Sequence, residues 1–221
     1  MTSPAPRPAA VLWDFDGTLV DSHGHWTAAW AEMATRRGGT WTDADTESLV
    51  GLDLTDAARA IRDHLGVDDS PQLLVSEMVD GVAERIRVEV PWRAGARALL
   101  EAVHAEGIPC ALVTMSYRTL VEPMLERVPP GTFGAVVTGD AVAHGKPHPE
   151  PYLAAAAALG VRPERCVAIE DSRTGVASAR AAGCAVLVTD GHGAAEAGTG
   201  DVVVDGLEGV TVADLRKMVT G

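Results

Sequence analysis

The sequence predicts an α/β protein: a parallel β-sheet core with helices on both faces, plus a small all-helical domain carried as an insert. Three observations lead there. From residue 91 onward, short apolar runs alternate with single helical stretches, the pattern of right-handed crossovers between parallel strands. Between His25 and Glu89 the periodicity is helical throughout, with no convincing strand. The first apolar run, residues 9–13, leads directly into two carboxylates, Asp14 and Asp16, where an open α/β sheet places its ligands.

Taken in order, residues 1–8 are rich in Thr, Ser and Pro and read as a disordered lead-in. Residues 9–13 form a buried strand, and Gly17 lets the chain turn away sharply. Helical spacing follows in Trp26, Ala29, Trp30 and Met33, then in Leu54, Ala57, Ala58, Ile61 and Leu65, then in Leu73, Leu74, Met78, Val82 and Ile86. Gly38, Gly39 and Gly66 stand where helix ends fall. Pro91-Trp92-Arg93 marks the return to the core. Helices are then expected over 96–106, 119–128, 150–159 and 175–182. Strands are expected over 109–114, 135–137, 166–169 and 185–188, and 201–204 is a candidate for one more. The domain organisation is therefore 9–22 with 91–221 as core and 23–90 as the helical insert.

Composition narrows the class. Of 221 residues, 47% are hydrophobic, enough for a sizeable core. Thirty-one acidic against 18 basic residues give a net charge of −13, which argues against nucleic acid or an anionic membrane as partner. A phosphorylated substrate stays open, because a metal and a placed cation reverse the sign locally. Cys110, Cys166 and Cys184 are far apart with no CxxC pair, so buried reduced thiols and a reducing, cytoplasmic setting are expected. No apolar run reaches membrane-spanning length.

Polar residues cluster at the strand ends. Asp14 and Asp16 cannot pair with each other and need a cation, for which a hard divalent metal with oxygen ligands is the natural candidate. The second core strand runs into Thr114-Met115-Ser116, where a hydroxyl and free amides could bond a phosphate oxygen or simply begin a loop. Lys146, before Pro147, reads alone as a solvated lysine; Pro149 and Pro151 suit a helix start. Glu170-Asp171-Ser172 puts consecutive carboxylates after an apolar strand, with Asp171 or Ser172 as a possible helix N-cap.

Each signal is weak alone; their order is not. Asp14-Phe15-Asp16-Gly17-Thr18, then the strand-end Thr114, then Lys146-Pro147, then Glu170-Asp171-Ser172 resembles the ordered motif set of the haloacid dehalogenase superfamily over essentially the whole chain. The helical insert resembles the α-helical cap of the subgroup that contains β-phosphoglucomutase and many small-molecule phosphatases.

The resemblance implies a Rossmann-like core and a set of roles. Asp14 would be the nucleophile, forming an aspartyl-phosphate. Asp16 would be the general acid and then the general base. Mg²⁺ would be held by the Asp14 carboxylate, the Asp16 backbone carbonyl and Asp171, with Glu170 as a ligand or one shell further out. Lys146 would offset charge in the transition state, and Thr114, the Met115 amide, Ser116 and Gly17 would surround the phosphoryl group. A small phosphorylated metabolite, sugar-like or nucleoside-like, is the implied substrate of a monomer or weak homodimer.

Departures choose among the chemistries of the superfamily. Dehalogenases lack the second aspartate, which is present here as Asp16. Phosphonatases need a cap lysine, and residues 25–89 contain none. The mutase pattern has a histidine twelve residues after the nucleophile, where this chain has Trp26, and an arginine three after a glycine, where Leu54 follows Gly51. A non-catalytic relative would have lost Asp14, Asp16 or Lys146, and all are present. Hydrolysis of a phosphomonoester is the expectation, with substrate choice placed on His23, His25, Trp26 and Asp53 of the cap and gating near residues 20–25 and 90–93.

Overall fold

The computed structural model describes residues 7–49, 52–189 and 202–219. The expected lead-in therefore lies outside the described residues up to position 6, as do Gly51 and Asp201.

In chain order the elements are β1 (Ala10–Trp13), α1 (His23–Arg36), α2 (Asp43–Leu49), α3 (Leu54–Leu65), α4 (Pro71–Val88), α5 (Ala96–Ala105), β2 (Cys110–Val113), α6 (Arg118–Leu125), β3 (Ala135–Val137), α7 (Glu150–Ala158), β4 (Cys166–Glu170), α8 (Arg173–Ala182), β5 (Ala185–Val188), β6 (Val202–Val203) and α9 (Val212–Met218). The described residues divide into two compact units: residues up to Asp21, Pro91–Arg118 and those from Leu125 on form one, and Ser22–Val90 with Thr119–Met124 the other. The division expected from sequence differs from this one at Ser22 and at Thr119–Met124.

The first unit is a six-stranded parallel sheet in the order β3-β2-β1-β4-β5-β6. β1, β2 and β4 are buried at every position, as strands covered on both faces must be. Alternate residues build one face of the core: Ala10, Leu12, Ala111, Val113, Ala168 and Val186 pack with Tyr152 and Ala155 of α7 and with Val176 and Ala179 of α8. Connections leave β1 towards β2 and β3 in one direction, and those beyond β3 run in the other. With right-handed crossovers this puts α7 and α8 on one face and α5 on the opposite one.

Three expectations change in detail. The helix expected over 119–128 runs Arg118–Leu125 and so stops short of the residue before Pro129. β4 runs one residue past the expected 169, so Glu170 is the last strand residue and not the first loop residue. The short helix α2 had no apolar period to announce it; α9 carries one in Val212, Leu215 and Val219 and starts on a Thr211–Asp214 capping box. Cys110, Cys166 and Cys184 are free and buried. Among the described residues no helix is long and apolar enough to cross a membrane.

The second unit packs α1 and α3 against α4 through Ala29, Met33, Ala58, Ile61, Leu74, Met78, Val82 and Ile86. Trp26, Trp30, Trp41 and His64 form a chain of ring contacts with centroids 5.8, 6.1 and 5.4 Å apart. Trp30 Nε1 donates to Met78 Sδ at 3.2 Å, which makes Trp30 part of the helical core. Arg59, Arg62, Arg85 and Arg87 pair with Asp56, Asp63, Glu32 and Glu84, as solvated helix faces do.

Candidate active site

β1 and β4 are neighbours from which the chain departs in opposite directions, so the crevice beyond their carboxyl ends is the topological switch point of the sheet. Trp13 is in register with Ile169, and the Asp14 amide continues the ladder to Ile169 O at 3.1 Å. Asp14 thus emerges beside Glu170, and Asp171 follows. Carboxylate oxygens of these three residues lie within 4.8 Å of one another, all buried.

Lys146 is what makes that crowding tenable. Its Nζ donates to Asp14 Oδ1 at 2.6 Å, to Glu170 Oε1 at 2.6 Å and to the Val113 carbonyl at 2.9 Å, using all three ammonium protons. Its side chain is 4% exposed, so it is no surface lysine. Burial alone would lower its pKa, but Asp14 and Glu170 outweigh that and hold it above the ordinary lysine value. Three carboxylates against one ammonium still leave the cluster short of positive charge. Burial, with Glu170 next, holds Asp14 well above the usual carboxylate range despite Lys146. The same two causes push Asp171 up to about 7.

Glu170 is the most thoroughly held of the three. Its Oε1 accepts from Lys146 and from the hydroxyl of the buried Tyr152, and its Oε2 accepts from Ser172 Oγ at 3.2 Å. Burial and the neighbouring Glu170 keep the Tyr152 phenol protonated and able to donate. A Cβ at Gly175 would stand 2.0 Å from Glu170 Oε1, so only glycine fits the first turn of α8 there. Of the two N-cap candidates, Ser172 takes the position, its Oγ accepting from the Gly175 amide at 3.0 Å. That leaves Asp171 facing Thr18, whose hydroxyl reaches Asp171 Oδ1 at 3.3 Å.

The second strand end supplies a hydroxyl turn. Thr114 Oγ1 accepts the Ser116 amide at 3.0 Å, and Ser116 Oγ donates to Asp16 Oδ2 at 2.5 Å. Met115 Sδ accepts the Lys146 amide at 3.2 Å, which ties this turn to the lysine loop. The structure therefore gathers Asp14, Asp16, Gly17, Thr114, Met115, Ser116, Lys146, Glu170 and Asp171 in one unit. His23, His25 and Trp26 begin α1 of the other unit, and Asp53 there is the N-cap of α3, its Oδ1 accepting the Thr55 and Asp56 amides. Sequence reasoning missed Tyr152, Gly175 and Thr18. The aromatic in an Ala-rich helix reads only as core, and the glycine only as a helix residue.

The chain matches the haloacid dehalogenase-like hydrolase family over residues 8–183 and belongs to it. It is 32% identical to hexitol phosphatase A of Escherichia coli strain K12, over 93% of this chain and 94% of that protein. It is 34% identical to phosphoglycolate phosphatase of Salmonella typhimurium, over 85% and 83%. Among solved structures, a CbbY variant from Rhodobacter sphaeroides in complex with xylulose-(1,5)bisphosphate matches with a TM-score of 0.80 and 25% identity, over 94% of this chain and 98% of that one. With its family and its phosphatase relatives, this chain is a phosphatase.

Proposed function

We propose that this phosphatase hydrolyses a small sugar or polyol monophosphate, with Mg²⁺ and through a phosphoryl group carried transiently on Asp14. The observation that carries the reading is Lys146 Nζ, held 2.6 Å from both Asp14 and Glu170 at the switch point of the sheet. The substrate class rests on relatives that act on a hexitol phosphate or phosphoglycolate, and on a fold neighbour seen with a pentulose bisphosphate.

Mg²⁺ suits the donor set, which is oxygen only, buried and short of positive charge. The Asp14 and Asp171 carboxylates and the Asp16 carbonyl would hold it; when bound, it neutralises charge on the phosphoryl oxygens. Glu170, with both oxygens already accepting from Lys146, Tyr152 and Ser172, steadies the site without binding the ion itself.

The remaining work belongs to the chain's own residues. Asp14 attacks phosphorus, and the bond to the leaving oxygen breaks as Asp16 protonates that oxygen. Asp16 then takes a proton from water, which attacks the phosphoryl group and frees Asp14; such proton transfer contributes about 10²–10⁴-fold. The Thr114 hydroxyl accepts from the Ser116 amide and so keeps its proton for a phosphoryl oxygen, beside the Met115 amide. Lys146 offsets charge throughout. We assign the core to 9–22 with 91–221, the cap to 23–90, and substrate choice to His23, His25 and Trp26. Asp53 is left out of that set because its carboxylate caps α3.

The test is phosphate release with Mg²⁺ from a panel of sugar phosphates, polyol phosphates, phosphoglycolate and nucleotides. Wild-type protein releases phosphate from members of the panel and Asp14→Asn from none; release from no member overturns the reading. Conversion of β-glucose 1-phosphate to glucose 6-phosphate, with a bisphosphate activator and no free phosphate, would make it a mutase instead. Trp26→Ala should change KM and the ranking of substrates more than kcat.

A further inference from the structure

We propose that His144, His148 and Glu150 form a second metal site, for a Zn²⁺-class ion, on the loop that carries Lys146. It is separate from the carboxylate cluster and is not needed for the chemistry proposed above.

The donors already stand close together. His144 Nδ1 lies 2.8 Å from Glu150 Oε2 and His148 Nδ1 lies 3.9 Å from the same oxygen. One ligand atom from each residue falls within 4.8 Å of the others. A tetrahedral Zn²⁺ with bonds of about 2.0–2.1 Å sets neighbouring ligand atoms about 3.3 Å apart, between the two observed separations. Each histidine thus stands within about 0.6 Å of the separation from Glu150 that the ion needs. The two imidazoles are in contact, with centroids 4.7 Å apart and planes tilted by 34°. A surface ion pair with Glu150 needs only one of them. The second ring is held beside it by the Glu150 amide, 3.2 Å from His148 Nδ1, with Glu150 Oε2 3.9 Å away.

The carboxylate is held before any ion arrives: Glu150 Oε1 accepts the Ala143 amide at 2.8 Å and Oε2 the His144 amide at 3.0 Å. His148 Nδ1 accepts the Glu150 amide at 3.2 Å, so in that arrangement this nitrogen carries a lone pair and no proton. An ion would take that lone pair. At His144 the proton shared with Glu150 would move through solvent to Nε2, leaving Nδ1 to bind. The histidine side chains are 66% and 51% exposed, which leaves a fourth position for water. Two imidazoles and one carboxylate favour Zn²⁺ and its neighbours over Mg²⁺. Lys146 lies between the two histidines in sequence, so the ion would brace the loop on both sides of it.

The test uses full-length protein without a histidine tag, in saturating Mg²⁺, titrated with Zn²⁺ against a chromophoric chelator. One equivalent should bind, and His144→Ala and His148→Ala should each weaken it by at least about tenfold. Asp171→Asn should leave it unchanged. Co²⁺ in place of Zn²⁺ should give four-coordinate absorption bands that His148→Ala removes. Zn²⁺ binding that survives both histidine changes, or that is lost with Asp171→Asn, overturns the proposal, as does the lack of a stoichiometric site. Both histidines are exposed enough for the variants to fold, and their melting curves without Zn²⁺ check that.

Discussion

A Cβ added to Gly17 would stand 2.1 Å from Oδ2 of Asp171, and Gly17 has φ +85°. The backbone that turns away from Asp16 is thus the wall against which the Asp171 carboxylate is set, from a distant part of the chain. Gly17→Ala carries two penalties: about 1–2 kcal/mol for a left-handed alanine and displacement of Asp171. We expect apparent Mg²⁺ affinity to fall about tenfold or more, and phosphate release to fall with it. A magnesium titration of activity checks this, and an unchanged midpoint would refute it.

Lys146→Met removes the ammonium bonded to two members of a cluster of three buried carboxylates. Leaving buried charge without its partner costs about 3–5 kcal/mol, moderated here by protonation of a carboxylate. Urea unfolding in EDTA should show a loss of that order, with Mg²⁺ restoring part of it. Phosphate release should nearly vanish even where the fold is restored. A variant as stable as wild type in EDTA would mean that the ammonium does not hold the cluster together.

Much of this was legible in the sequence, and for a reason that also marks where legibility ended. Asp14 and Asp171 could be found because each follows an apolar run, where a polar residue is conspicuous, whereas Lys146 reads alone as a solvated lysine and stands out only through the order of the motifs. Glu170 was found but misplaced by one position, since a buried carboxylate as the final residue of a strand is a poor bet without knowledge of its partners. Those partners come from α7 and α8: Tyr152, Ser172 and Gly175 act on Glu170 only once the helices pack on the sheet face. Asp53 shows a role that the turn alone did not announce: its Oδ1 accepts the first amides of its own helix.

Tyr152→Phe isolates one of those partners. It deletes the hydroxyl bonded to Glu170 Oε1 and keeps the ring beneath Lys146, whose Nζ lies 5.3 Å from the ring centroid. Lys146 and Ser172 still bond Glu170, so no buried acceptor is orphaned; a charge-assisted bond of this kind is worth about 1.5–3 kcal/mol. We expect a stability loss in that range by urea denaturation, with less than about a tenfold fall in kcat. A hundredfold fall in kcat at unchanged stability would assign Tyr152 to the chemistry itself.

The Asp171 carboxyl, pushed up to about 7 by burial and by Glu170, makes stability depend on pH in a definite direction. Its folded value lies above the unfolded one of about 4, so its contribution is complete below about pH 4 and is lost as pH rises towards 7. Asp14, also raised, acts with the same sign. Asp45, Glu77 and Asp214, all lowered, act in the opposite sense but only at acid pH, so the comparison belongs between pH 5.5 and 8. Over that interval protein in EDTA should lose on the order of 2 kcal/mol, read by urea unfolding. Saturating Mg²⁺ should flatten or reverse the slope, because the ion binds the ionised form and its binding strengthens as protons leave. Asp171→Asn should shrink the loss in EDTA. Equal stability of metal-free wild-type protein at both pH values would show that the three carboxylates share their charge in some other way.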